Sequence, residues 1–158
     1  MNIRKGIALV VAVGASLLAG AIGSIFTASS VSLWYPTLMK PALNPPSWVF
    51  GPVWTVLYVL MGIAAFLVWR QGWERRDVKD ALKIFALQLV LNALWSVLFF
   101  GLQSPLLALV GIVLLWGAIL WVISAFARIS RPAAWLLVLY LAWVTFATYL
   151  NAAIWLLN

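Results

Sequence analysis

Four long stretches of the chain hold no charged side chain: 6–39, 41–69, 84–127 and 132–158. In water a fold of this size needs a polar shell, and these runs cannot supply one. In lipid each is long enough to cross, because a helical span takes about 20 apolar residues. Only 8% of the residues are charged, against about 25% in ordinary soluble domains. The sequence therefore predicts an all-α membrane protein. A β-barrel does not fit, since barrel strands alternate apolar with polar residues and these runs are continuous.

The stretch 84–127 is too long for one crossing. Gly101 and Pro105 bracket a turn within it, because glycine closes helices and proline opens them. Residues 27–45 carry Pro36, Pro41 and Pro45 among several Ser and Thr, and read as a loop. The expectation is one five-helix transmembrane domain over 1–158, with helices at 6–27, 46–70, 81–101, 105–127 and 132–157. Arg4 and Lys5, the five cations of 70–83, and Arg128 with Arg131 fall at one end; Lys40 alone falls at the other. The positive-inside rule then places the N-terminus in the cytoplasm and the C-terminus outside, favouring a bacterial inner membrane. The net charge of +7 is explained by this orientation, so no nucleic-acid partner is expected.

The first span supports two rival readings. Arg4-Lys5, an apolar run and Ala19-Gly20-Ala21 mimic a signal peptide with its small-residue cleavage site. Against that, the run continues to Phe26, long enough to span. Ala8, Ala12, Ser16, Gly20 and Ser24 recur every four residues, beside Ala15, Ala19 and Gly23. Such ladders let helix backbones approach closely, whether within the bundle, at a dimer seam or along a cavity wall.

The sequence has no His and no Cys, which removes thiolate and imidazole chemistry and the usual axial ligands of haem iron. Its three acids all lie within 74–80, leaving no distant carboxylate pair for acid–base catalysis. No metal site is expected. Eleven Trp remain to be explained. Trp34, Trp48, Trp69, Trp73, Trp135 and Trp155 lie near span ends, where indoles anchor at the lipid–water interface. Trp54, Trp95, Trp116, Trp121 and Trp143 lie deeper and are expected to be buried. Gln88, Asn92 and Ser96 make one stripe on the third helix, and Thr145, Thr148 and Asn151 lie on the fifth. Polar groups at depth face other helices or a cavity. They either bond between helices or serve as handles in an apolar pocket.

Three blocks resemble the translocator protein family, also called tryptophan-rich sensory proteins. The first runs from Trp34-Tyr35 through Lys40-Pro41 and Pro45-Pro46 to Phe50, Trp54, Leu57-Tyr58 and Met61-Gly62. The second holds Gln88, Asn92, Trp95 and Phe99-Phe100-Gly101. The third holds Tyr140, Trp143, Phe146-Ala147-Thr148 and Leu150-Asn151. The resemblance covers about residues 20–158.

It implies a five-helix bundle, often a homodimer, with a pocket opening toward the first loop. It also implies binding of porphyrins such as protoporphyrin IX and haem and, in some members, of sterols and synthetic aromatic ligands. Carried over by motif, the pocket would involve Gly23, Trp34, Tyr35, Pro46, Trp54, Tyr58, Asn92, Trp95, Trp143, Ala147 and Leu150, with Leu107 where some relatives have Trp. No obligatory cofactor is implied: a porphyrin would be a ligand, and without His or Cys a free-base ring suits the site better than haem. Membrane lipid is the other expected partner.

The resemblance leaves three roles open. One is porphyrin sensing, sequestration or transport. Another is light-dependent porphyrin degradation through Trp54 and Trp143. The last is sterol or lipid translocation. Alternating-access transport is disfavoured by the absence of internal repeats and intramembrane charges. Two departures from the family pattern stand out. Leu139 replaces a proline before Tyr140, and Ala152 with Leu156 replace the Tyr and Arg of the sterol-recognition pattern.

Overall fold

The computed structural model describes residues 1–158 and contains five long helices and no strand. They are α1 (Ile3–Leu33), α2 (Phe50–Trp69), α3 (Arg76–Ser96), α4 (Pro105–Ala127) and α5 (Arg131–Leu157). Each is long and apolar enough to cross a membrane, so this is an integral, multi-pass membrane protein. Contacts run α1–α2–α5–α4–α3 and back to α1, closing a ring. Alternating directions gather nine of the ten cations at one end, as the charge pattern predicts.

Three of the helices begin at a capping side chain or a proline. Asn2 accepts the Lys5 N–H at 2.9 Å, capping α1. Ser104 accepts the Leu107 N–H at 3.2 Å and Pro105 opens α4, a position where a missing N–H costs nothing. Pro132 does the same for α5.

Two helices run longer than expected. α1 ends at Leu33, not near residue 27. The Ser and Thr residues of this segment bond back along the helix: Thr27 to the Gly23 carbonyl at 2.9 Å and Ser32 to that of Ser29 at 3.0 Å. Ser30 reaches across to the Phe100 carbonyl at 2.6 Å. At 31 residues α1 is about 46 Å long and overtops the bilayer core. α3 starts at Arg76, five residues before the expected 81, because the charged segment forms an amphipathic first turn around buried Val78 and Ala81. α2 begins at Phe50 after a short 3₁₀ turn, Ser47–Val49, rather than at 46.

Small residues set the α1–α2 crossing. A Cβ on Gly62 would overlap the Val13 backbone, and one on Gly20 would overlap the Tyr58 ring. Ser16 from one row of the ladder and Ala19 and Gly23 from the other are buried, while Ala15 is exposed, so both rows pack within the bundle. The remaining core runs between α2, α3, α4 and α5, where Met61, Val78, Ile112 and Val144 are buried and Phe85 stacks on Phe126 at 5.8 Å. Trp121, expected to be buried, is 57% exposed; its side of α4 faces lipid. α5 is continuous through Leu139.

Candidate functional site: an aromatic chamber under a fastened loop

At the end opposite the cations, α1, α2, α3 and α5 enclose a cavity of about 110 Å³. Twelve residues line it, ten of them hydrophobic. α1 contributes Thr27 and Val31; α2 contributes Phe50 and Trp54. Trp95, Phe99 and Phe100 come from α3 and the turn after it, and Ala147, Leu150 and Ile154 from α5. Tyr35 and Ser47, from the first loop, complete the lining.

The turn after α3 explains two of these rings. Val97–Gly101 is a π turn, closed by the Leu102 N–H on the Val97 carbonyl at 2.8 Å. Such widened turns recur at functional sites. Here it presents adjacent Phe99 and Phe100 together, their centroids 4.8 Å apart, with Trp95 stacked 5.3 Å from Phe99. The motif Phe99-Phe100-Gly101 was legible in the sequence, but the wide turn that aims both rings inward was not.

Toward mid-membrane a second space of about 120 Å³ shares Thr27, Trp54, Trp95 and Phe100 with the first. Gly20, Gly23 and Ser24 wall it on α1, Tyr58 on α2, and Asn92 and Ser96 on α3. Its floor is a hydrogen-bonded chain. The Tyr58 hydroxyl donates to Asn92 Oδ1, and Asn92 Nδ2 donates to the Tyr140 hydroxyl at 2.7 Å. Tyr140 in turn donates to Gln88 Oε1 at 2.8 Å. All four side chains are buried, where an unpartnered polar group would cost about 1–3 kcal/mol. The Gln88–Asn92 stripe is therefore an interhelical connector whose near end faces the cavity. Trp95 is tied similarly: its indole N–H donates to Asn151 Oδ1 at 3.0 Å, and Asn151 donates to the Pro105 carbonyl at 2.8 Å.

The first loop packs over the cavity through Tyr35 and Ser47. Tyr35 sits 6.4 Å from Phe99 and 6.0 Å from Phe100, and its hydroxyl donates to Asn44 Oδ1 at 3.0 Å. Burial raises the Tyr35 pKa, and the Asn44 contact partly opposes that shift. The Lys40 ammonium lies 4.8 Å above the Tyr35 ring, donating to the Leu38 carbonyl at 3.0 Å. A clasp holds the lid to α5: the Met39 N–H donates to Asn158 Oδ1 at 3.0 Å, and Asn158 Nδ2 donates to the Met39 carbonyl at 2.9 Å. Nothing in the sequence pattern signals that pairing.

The chamber and its inner annex bring together Gly23, Tyr35, Trp54, Tyr58, Asn92, Trp95, Ala147 and Leu150. Four expected site residues lie outside them. Trp34 packs edge-on to Phe99 at 5.6 Å, behind the chamber wall. Pro46 is exposed at the rim. Leu107 is 49% exposed on α4, beyond the ring of lining helices. Trp143 lies against Phe50 at 6.0 Å and lines a separate open groove between α2 and α5, of about 610 Å³. Its indole nitrogen is buried without a partner.

Comparison with known proteins finds matches along nearly the whole chain. The profile of the TspO/MBR family matches residues 12–156. The Tryptophan-rich protein TspO of Chlorobaculum tepidum is 50% identical over 155 residues, 98% of each chain. Its namesake in Archaeoglobus fulgidus is 48% identical over 159 residues, 100% of this chain and 99% of the other. The Translocator protein of Bos taurus is 38% identical over 148 residues, covering 91% of this chain and 88% of its own. The profile match over residues 12–156 and relatives up to 50% identical along nearly their whole length place this five-helix membrane protein in the TspO/MBR family.

Proposed function

We propose that the protein binds a flat, apolar, polycyclic ligand of the porphyrin class in the chamber, with the first loop displaced to admit it. The observation that supports this most directly is the wall itself: Trp54, Trp95, Phe99 and Phe100 around one cavity, ending on the Tyr58 and Asn92 side chains. Offset or edge contacts with such rings contribute about 0.5–1.5 kcal/mol per pair beyond area burial. Acidic substituents of the ligand would lie toward Lys40 at the mouth. No His or Cys is present to hold a metal centre, so stacking and shape select the ring, and a free base suits the site better than haem.

The closed chamber, about 110 Å³, is below the usual ligand-pocket range of about 300–1,000 Å³. Lid opening is therefore part of binding. Relatives carry the names Translocator protein and Tryptophan-rich sensory protein, which suit a protein that moves or reports such a molecule. Titration with protoporphyrin IX should quench Trp fluorescence saturably. Ala147→Phe, filling the chamber, should abolish saturation while far-UV circular dichroism stays helical. Saturable binding unchanged in that variant would overturn the placement.

The same proposal includes a homodimer in a bacterial inner membrane, N-terminus in the cytoplasm. The cation asymmetry supports the orientation, and open space around Gly14 on the outer face of α1 supports a packing seam there. Because the chain has no Cys, single cysteines at residues 2, 14 and 158 report both. An impermeant maleimide should label residue 158 and spare residue 2 in intact cells, and Gly14→Cys should cross-link.

A further inference from the structure

The other end of the bundle holds a second cleft, of about 360 Å³, between the start of α1, the end of α2 and the turn into α3. Arg4, Lys5, Arg70 and Arg75 line it, with Glu74 the one carboxylate. Two of these charges are already matched. Arg75 holds Asp77 through two bonds of 2.6 and 3.1 Å, and Glu74 pairs with Lys79 at 3.7 Å. Arg4, Lys5 and Arg70 have no ion pair. Three unmatched cations from two helices thus converge on one concavity.

Depth and surroundings say what fills it. Trp69 and Trp73 form part of the same wall, and paired indoles at a span end mark the headgroup level of a bilayer. Directly above Arg4 on α1, Ile7 and Val11 are 60% and 62% exposed, an apolar track leading from the cleft into the hydrocarbon. We propose that this cleft holds the phosphate headgroup of an anionic membrane phospholipid, with an acyl chain lying along that track. Basic pockets between helices at the membrane surface take such headgroups. The exposed track favours a lipid over free phosphate, which has no use for it.

Detergent-purified, delipidated protein tests this by native mass spectrometry. Phosphatidylglycerol should be retained, and phosphatidylcholine with the same chains should not. Each removed cation should weaken retention roughly fivefold, so Arg4→Gln/Lys5→Gln/Arg70→Gln should lose it by well over tenfold. The control Arg128→Gln/Arg131→Gln removes charge at the same end but outside the cleft, and should stay within twofold. Should the triple variant not fold, Arg4→Gln alone carries the test with its fivefold loss. Equal loss in cleft and control variants means a diffuse basic surface and overturns the site. Displacement of the lipid by millimolar inorganic phosphate, with equal protection against thermal unfolding, overturns the lipid assignment.

Discussion

The chamber and the α2–α5 groove are both apolar, both aromatic, and share the helices that separate them. Yet they differ in every property that makes a binding site selective. The chamber is small and roofed, and its polar neighbours Tyr58, Asn92 and Trp95 are hydrogen-bonded. The groove is more than five times larger in volume, open along its length, and carries the unpartnered indole nitrogen of Trp143. An open apolar groove in a bilayer accepts any lipid tail, because lipid is as apolar as the wall. A closed chamber must exchange its contents through a lid, so shape and a few polar handles decide what stays. Volume alone would point to the groove.

The largest effect should come from filling the annex beneath the chamber, where Gly20 forms part of the α1 wall. Gly20→Leu drives a side chain into the Tyr58 ring; porphyrin affinity should fall at least 100-fold, and the thermal midpoint should drop with it. Gly20→Ala, less intrusive, should show the same sign. If porphyrin binding survives Gly20→Leu, the ligand does not reach the annex.

Next comes the buried chain. Tyr140→Phe leaves Gln88 Oε1 without its donor and Asn92 Nδ2 without its acceptor. It should destabilise the bundle by about 1–3 kcal/mol, read from unfolding in detergent. A value near zero would mean that the chain is solvated rather than dry.

Indole substitution then separates the two cavities directly. Trp54→Phe should weaken porphyrin binding about tenfold, as expected for one aromatic contact of roughly 1.4 kcal/mol. Trp143→Phe should change it less than twofold. The same pair addresses light-driven chemistry. A reaction needing both indoles on one ligand should fail here, and illumination should give the product profile of free porphyrin. A new product lost in both variants would place Trp143 beside the ring after all.

The smallest effects belong to the lid. Asn158→Ala removes the clasp to Met39 and should speed ligand release several-fold with little change in equilibrium affinity. Tyr35 adds a pH dependence. Its raised pKa means that the neutral phenol is favoured in the folded state. That contribution is complete below the ordinary tyrosine value near 10 and fades as pH climbs through the higher folded value. Lid closure should therefore be flat from about pH 6 to 9 and loosen only in strong base. Tyr35→Phe should abolish that loosening.

Membrane character, helix number and the alternation of ends follow from where charge is missing, so they were legible before any coordinates. Helix ends were less so. Ser and Thr near residue 30 look like loop formers in water, but in a span they return their hydroxyls to the preceding turn, as Thr27 and Ser32 do. The site was legible as motifs and not as directions. Gln88 and Asn92 share a stripe by spacing alone. Which of Trp121, Trp143 and Trp54 faces lipid, groove or chamber depends on helix rotation, and a helix apolar all round carries no pattern to fix it. Tyr35, Phe99 and Phe100 meet through a 3₁₀ turn and a π turn, neither of which has a reliable sequence mark.

The Met39–Asn158 clasp also constrains the order of events during synthesis. It joins residues 119 apart, and closing such long-range contacts is slow because loop entropy is spent before the contact forms. Asn158 lies beyond α5, so all five spans must be made before the first loop can be fastened. Until then the loop rests on the aromatic cavity through Tyr35, without its tie to α5.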